Sequence, residues 1–554
     1  MLKNILFFLT SFLITSLGQP AVVPILGPMA ALGGYAFFWI SIHDLKSPFY
    51  KFLASFIWFF FIQLVQSSWL VSLKYQGFYI LIVYFFLAAL LGLQFSVVSS
   101  YVLGRRDSPC KLAFSAAAIG ALLEWSRLFI FSGFPFNFSG ISLACFIPSM
   151  QLASVFGVIG LSFFVWLANT LLYFSFRRHQ DRWKCIALFL VVALTPYCFG
   201  WFMVIEKDES HPRELVRVLL VQTAISPSQK NQIDGFYSDF ISPYKQWSNI
   251  ITYLKPNVDK GIDIVILPES SVCFGVNKYC YKLEDVFFVL EKNGLKISKF
   301  FPPLEEPYAA CVEGQWRVSN GFWFQCLANY MGCEFIVGLD REDQKLKKYY
   351  NSALLFTPFS KGYYCYDKKI LLPIAEGAPD WKPLQSLAKI YGVEEFFTPG
   401  TRSNLIGKKR KMGVAICIEE LFPEHMKRFK NLGADFLVAL TNDAWYPKSI
   451  LPAQHFTHAR LRAVECGLTL VRCSNNGFSC VVDPLGRFVN RLKPENRYEN
   501  AESGAIIEEF FSGRKKTVYT ILGDGGIVSF CLLVLVLSSV STDRLQGAEI
   551  DVRE

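Results

Sequence analysis

The sequence predicts a chain in two parts: an α-helical bundle of about eight membrane spans, and a layered α/β domain of about 300 residues outside the bilayer. Three observations lead there. Hydrophobic residues make up 52% and aromatics 16% of the 554 residues, with mean hydropathy +0.32, which is too apolar for a soluble chain of this length. The apolar stretches are concentrated in residues 1–205 and return at 526–540. Residues 212–512 have an ordinary globular composition, in which short β-branched runs alternate with helical patterns.

In the first part, apolar stretches fall at roughly 4–18, 21–42, 52–73, 77–103, 112–132, 150–175 and 184–204, each near the length a spanning helix needs. The first has the size of a signal peptide. It lacks a small-residue cleavage site and runs directly into "GQPAVVPILGPMAALGGYAFFWIS", so it reads as retained. Basic residues set the orientation. With the N-terminus in the cytoplasm, inner loops hold Lys46 and Lys51, then Arg105, Arg106 and Lys111, then Arg177, Arg178, Arg182 and Lys184. The short outer loops offer little beyond Lys74; Arg514, Lys515 and Lys516 oppose the pattern but are outnumbered. The expected organisation is a membrane domain at 1–205, an extracytoplasmic domain at 212–512, a last span within 517–542 and a cytoplasmic tail at 543–554. The net charge of +10 then follows from loop topology and attraction to anionic headgroups, with no need of nucleic acid.

In the outer domain, "VRVLLVQ" (216–222), "DIVILP" (263–268), "EFIVGL" (334–339), "SALLFT" (352–357), "MGVAIC" (412–417), "DFLVALT" (435–441), "LTLVRC" (468–473) and "SCVVD" (479–483) read as strands. "PAQHFTHARLRAVEC" (452–466) reads as a helix opened by proline. Residues 272–325 break this rhythm and read as a long surface excursion; its aromatic "GFWFQC" (321–326) is open to two readings, lid or core. Ten of the fifteen cysteines lie in this domain, and Cys273, Cys280, Cys311, Cys326 and Cys333 crowd one region where a disulfide is expected to be possible. There is no CxxC pair, and His455 and His458 lack a third ligand, so no metal is expected and both histidines read as helix packing.

Three apolar approaches end in reactive side chains. "DIVILPESS" ends at Glu269, "YYCYDKKILLPIAEGAP" offers Lys368, Lys369 and Glu376, and "MGVAICIEE" ends at Cys417 with Glu419 and Glu420 behind it. A carboxylate can take a thiol proton, a thiolate can attack a carbonyl, and an ammonium can stabilise the oxyanion that results. Singly, each residue has a blander reading as cap, solvated charge or packing.

Together and in this order, "LPES", "YDKKILLPIAE" and "GVAICIEE" resemble the three motifs of the nitrilase, or carbon–nitrogen hydrolase, superfamily. The resemblance implies an αββα sandwich, Glu269 as general base, Lys368 as oxyanion stabiliser and Cys417 as nucleophile, with Glu376 and Glu419 supporting. Lys368 is preferred to Lys369 because Tyr366 and Pro373 fit the family register. "TNDAWYPKSILPAQHFTHARLRAVECGLTLVRCSNNG" (441–477) and "EWSRLFIFSGFPF" (124–136) resemble the membrane-bound apolipoprotein N-acyltransferase branch, and that likeness covers nearly the whole chain. It implies ping-pong transfer of an acyl chain from a phospholipid, through a Cys417 thioester, to the N-terminal amine of an apolipoprotein's diacylglyceryl-cysteine. It also implies the bacterial inner membrane, a catalytic domain on the periplasmic side, no cofactor, and a monomer by default. Ile418 stands where the branch often has tyrosine, and Ile374-Ala375 where it has Phe-Gly.

Asn442 and Trp445 are substrate-binding candidates from that stretch, and Glu124 and Arg127 from the membrane part. Three apart within a span, Glu124 and Arg127 serve either as a mutual ion pair or in headgroup handling. Two rival functions stay open. A membrane-tethered amidase would use the same residues on a small amide with water as acceptor. A transport or binding protein would carry the outer domain as an inert module.

Overall fold

The computed structural model describes residues 2–20, 22–130, 133–205, 214–233, 235–295, 298–373, 375–377, 386, 396–489, 492, 503–513 and 515–550. The chain divides into two compact units. One comprises Met1–Glu209, Val464–Gly467 and Lys516–Glu554; the other comprises Ser210–Ala463 and Leu468–Lys515.

The first unit is helical. Pro24–Ile42, Pro48–Gln66, Tyr79–Gly104, Ala153–Arg177, Arg182–Ile205 and Val518–Ser539 are long and apolar enough to cross a membrane. Leu2–Leu17 is apolar but shorter, and Pro109–Ser126 carries Lys111 and Glu124. The span expected at 112–132 therefore ends early: its helix stops at Ser126, and the chain next coils into a 3-10 turn at Ser139–Cys145. A short helical turn from Val518 breaks at Gly523, whose φ is +61°, and the last helix then continues to Ile550, past the end expected for it. Arg514, which opposed the charge pattern, lies outside the described residues, as do Ile374 and the tail beyond 550.

Backbone groups left open in a membrane unit need internal partners. A π-helical turn at Ala30–Gly34 shows how one set is met. Asn169 accepts hydrogen bonds from the Tyr35 and Ala36 amides at 2.9 and 3.1 Å, and its own amide donates to the Ala31 carbonyl at 2.7 Å.

Among the described residues, the second unit is built on thirteen strands: β1 (Glu214–Gln222), β2 (Ile264–Ile266), β3 (Tyr281–Lys282), β4 (Ala309–Val312), β5 (Gln315–Val318), β6 (Glu334–Asp343), β7 (Lys348–Phe356), β8 (Tyr363–Asp367), β9 (Met412–Ile416), β10 (Phe436–Thr441), β11 (Leu470–Ser474), β12 (Cys480–Val482) and β13 (Gly504–Ser512). The larger sheet runs β13-β1-β2-β6-β7-β8 and the second runs β12-β11-β10-β9. β1, β2 and β6 are parallel, as are β9, β10 and β11. Every residue of β9, β10 and β11 is buried, which is why β9 and β10 read as apolar runs and why Arg472, inside β11, is enclosed. The sheets meet face to face: the Cys473 thiol of β11 donates to the Val221 and Ile266 carbonyls of β1 and β2. Helices cover the outer faces. Trp247, Ile250, Ile251 and Leu254 of Pro243–Leu254 pack with Leu219, Val265 and Val337 on one side. On the other, Phe429 of Pro423–Asn431 lies so close to Gly413 of β9 that a Cβ there would meet it at 2.4 Å. The result is the αββα sandwich.

Two expectations change. The described residues of the 272–325 excursion build a three-stranded sheet β3-β5-β4 and the helix Leu283–Lys292. Its "GFWFQC" is not a lid: Phe322, Trp323 and Phe324 lie on the helix Asn320–Met331 at 0% exposure, inside the main core. The three are consecutive and so point to different sides of the helix; all are buried because the core surrounds the helix, and apolar side chains of this size each contribute about 1.5–3 kcal/mol when buried. The crowded five, Cys273, Cys280, Cys311, Cys326 and Cys333, are free thiols.

Candidate active site

Each of the three reactive side chains stands just past the end of a strand. Glu269 follows β2 on a turn stitched to β6: the Ser271 amide donates to the Gly338 carbonyl, and the Gly338 amide to the Pro268 carbonyl. A Cβ at position 338 would sit 2.5 Å from the Glu269 Cα, so only glycine lets the turn approach this closely. Lys368 is the first residue after β8, where Asp367 is fixed by two bonds from Arg341 at 3.1 and 2.9 Å. Cys417 follows β9 with φ at +52°, a left-handed conformation that costs a non-glycine residue about 1 kcal/mol or more.

These side chains converge. Lys368 Nζ lies 3.3 Å from Glu269 Oε1 and 2.8 Å from Glu376 Oε1. The Asn351 amide donates to the same two oxygens at 2.7 and 3.0 Å, and the Cys417 thiol is near enough to Glu269 and Lys368 for both to act on its proton affinity. Glu376 also accepts from the Leu372 amide at 2.7 Å. Glu269 and Lys368 are buried; Cys417 is partly exposed.

Burial raises the Glu269 carboxyl and Glu376 adds to it, while Lys368 pulls the other way. Burial also pushes the Cys417 thiol well up, helped by Glu269 and opposed by Lys368. Burial works against the Lys368 ammonium, yet Glu269 and Glu376 outweigh it and raise the group, so the lysine stays charged. A protonated thiol beside a carboxyl of raised proton affinity needs that carboxyl as its base, because no preformed thiolate is waiting.

Glu419 ties two of the strand ends together. Its Oε1 accepts from the Tyr366 hydroxyl (2.8 Å) and from the Lys369 and Ile370 amides (2.6 and 3.1 Å); its Oε2 accepts from the Ile416 amide at 2.8 Å. The Cys417 turn is thereby fixed to the segment carrying Lys368.

Behind Cys417 lies a second buried cluster. Arg472 of β11 reaches Glu420 at 3.0 Å and Asp443 at 3.5 Å, and the His455 ring bridges the same two carboxylates at 2.8 Å each. Burial opposes charge on both carboxyls, but Arg472 and His455 outweigh it and lower Glu420 and Asp443. Burial likewise opposes the His455 imidazolium, and the two carboxylates raise it to about 9. His458 is pushed well down by burial and by Arg462.

With this geometry in hand, comparison with known proteins is specific. Residues 232–499 match the carbon–nitrogen hydrolase family, a span that includes Glu269, Lys368 and Cys417. Residues 13–171 match the apolipoprotein N-acyltransferase N-terminal domain. An apolipoprotein N-acyltransferase of Chlamydia caviae is 30% identical over 547 residues, covering 96% of each chain. The chain belongs to the apolipoprotein N-acyltransferase family. Relatives of the same name from Chlamydia pneumoniae (29% over 543 residues, 95% of each chain) and Haemophilus influenzae (28% over 514 residues, 88% of this chain and 86% of that one) agree.

The remaining candidates of this N-acyltransferase-family chain are placed elsewhere. Asn442 is occupied structurally: its side-chain oxygen caps the Ala444 amide at 3.2 Å and accepts from Asn475 at 2.9 Å. Trp445, three residues on, is 41% exposed. In the helical unit, Glu124 and Arg127 face one another at 3.5 Å; Glu124 also accepts from the Ser139 amide and the Trp166 indole, and Arg127 lies over the Phe138 ring. Asn351, Tyr366 and the Glu420–Asp443–His455–Arg472 cluster were not anticipated as parts of the site. One signal was available. An arginine inside a fully apolar strand, "LTLVRC", requires buried partners, and paired acidic residues after a neighbouring strand could supply them.

Proposed function

We propose that this protein transfers an acyl chain from a membrane phospholipid to the α-amine of an apolipoprotein's N-terminal diacylglyceryl-cysteine, through a thioester on Cys417. The convergence of Lys368, Glu269 and the Cys417 thiol from three strand ends carries the reading, and family membership supports it. Glu269 takes the thiol proton as sulfur attacks the ester carbonyl. Lys368 neutralises the tetrahedral oxyanion, a stabilisation worth about 3–4 kcal/mol in comparable sites. The tetrahedral species collapses, the C–O bond breaks, and Glu269 returns its proton to the departing lysophospholipid alkoxide. In the second half, the lipoprotein amine attacks the thioester, Glu269 receives the amine proton, and collapse to the amide regenerates the Cys417 thiol. Glu376 and Asn351 hold Lys368 and Glu269 in register throughout.

Both substrates are lipids, which agrees with six helices able to span a membrane among the described residues. The positive-inside pattern supports an inner-membrane protein with the catalytic unit on the periplasmic side. A single chain supplies every group named, which supports a monomer. The test incubates detergent-purified protein with phospholipid labelled in its acyl chains, without acceptor. Hydroxylamine-sensitive label on wild type and none on Cys417→Ala is expected. Label on neither, together with hydrolysis of small amides, would favour the tethered amidase.

A further inference from the structure

His455 lies outside the groups that the proposed chemistry uses, yet it touches the nucleophile's backbone. Its Nδ1 is 2.8 Å from Asp443 Oδ1 and its Nε2 is 2.8 Å from Glu420 Oε1. Carboxylates only accept, so both ring nitrogens must carry protons. The Nε2 proton is shared with a second acceptor, the Cys417 carbonyl oxygen at 3.3 Å. That carbonyl belongs to the residue whose φ of +52° aims the thiol. Left-handed geometry at a non-glycine residue persists only where the surroundings enforce it.

We propose that His455 is a positioning residue for Cys417: clamped between Glu420 and Asp443, its ring holds the nucleophile's carbonyl and fixes the left-handed turn on which the thiol stands. The proposal rests on the reading of Cys417 as the acylated nucleophile. The charged groups around the ring come from four elements. Glu420 is on the turn after β9, Asp443 on the turn after β10, Arg472 on β11 bridging both carboxylates, and His458 one turn along the helix Leu451–Cys466. Glu269 and Lys368 approach Cys417 from the other sheet. Two carboxylates facing one imidazole and one guanidinium make a balanced set. Within it, the ring keeps its second proton well past neutrality, to about 9. Once that proton leaves, one ring nitrogen turns a lone pair toward a carboxylate, and the clamp on Cys417 opens.

The test measures single-turnover acylation of Cys417 by labelled phospholipid in detergent, from about pH 6 to pH 10, with rate separated from amplitude. Misfolded enzyme lowers the amplitude; a misplaced nucleophile lowers the rate per competent molecule. Wild type should lose rate on an alkaline limb near pH 9. Glu420→Gln removes one of the two carboxylates that hold the proton, so its limb should move down by about one pH unit or more. His455→Gln should lack that limb and acylate about tenfold more slowly per competent molecule at neutral pH. The proposal is overturned by an unmoved limb in Glu420→Gln, or by a His455→Gln rate within about twofold of wild type. Wild type that takes no label at Cys417 refutes the underlying nucleophile assignment instead, so the two failures are told apart.

Discussion

Replacing Glu419 by glutamine should loosen the site without emptying it. The glutamate is fully buried and accepts four hydrogen bonds, three at Oε1 and one at Oε2. Glutamine can keep its oxygen toward Tyr366, Lys369 and Ile370, but its amide then faces the Ile416 N–H, donor against donor. Three charge-assisted bonds become neutral ones, a loss of about 1 kcal/mol each, and one buried amide is left unpaired at about 1–3 kcal/mol. Burying a neutral amide in place of a carboxylate returns part of this. The net local cost is about 2–4 kcal/mol, equivalent to a factor of about 30 to 1,000 in the opening equilibrium. Hydrogen exchange followed by mass spectrometry reads this directly on peptides covering 412–417 and 366–372. Both should lose protection together, because Glu419 joins them, while peptides from β1 and β2 keep theirs. Unchanged protection at both segments would refute the hub assignment, and loss at only one would refute the coupling.

Other consequences are open to simpler measurements. Lys368→Met removes the charge facing the oxyanion and the counter-ion of Glu269 and Glu376; acylation of Cys417 should fall about 100- to 1,000-fold, measured in a single turnover. The His455 imidazolium, raised to about 9 when folded, contributes stability that is fully present below its unfolded value of about 6.5 and is lost as pH rises through about 9. The thermal midpoint of wild type should accordingly drop between about pH 7 and 9.5, and that slope should vanish in His455→Gln. Trp323→Ala, a core deletion, should destabilise the second unit by about 3–5 kcal/mol while folded molecules acylate at the wild-type rate. A stable Trp323→Ala protein with lost activity would restore the lid reading.

Much of this architecture was legible because hydrophobic burial writes a local pattern. Strands β9, β10 and β11 are buried along their whole length and β1 from Val218 onward, so, Arg472 apart, their residues form largely apolar runs that need no knowledge of their neighbours. β13 was missed: "GAIIEEFFS" mixes Glu508 and Glu509 with apolar residues, and its pairing partner β1 lies almost 300 positions upstream. β8, "YYCYD", is legible as the approach to Lys368 but not as an edge strand, because no alternation of apolar and polar residues marks it. In the site, Glu269, Lys368, Glu376 and Cys417 stood out through motif order, and they are close together in space. The cluster behind Cys417 was not legible as a unit. Glu420 and Arg472 are 52 residues apart, and only the parallel register of β9, β10 and β11 brings them to one place. The excursion was misjudged for a related reason: an amphipathic pattern is absent where a helix such as Asn320–Met331 is buried on nearly every side.

The central claim is transfer through an acyl-enzyme to an amine, and a chase experiment tests it most directly. Wild-type protein is loaded with labelled acyl chain, freed of phospholipid, and mixed with a synthetic peptide bearing an N-terminal diacylglyceryl-cysteine. The account predicts that label leaves Cys417 and appears in amide linkage on the peptide, at a rate that far exceeds release as free fatty acid. Label that leaves only as fatty acid, at a rate indifferent to the peptide, would contradict it and identify water as the acceptor.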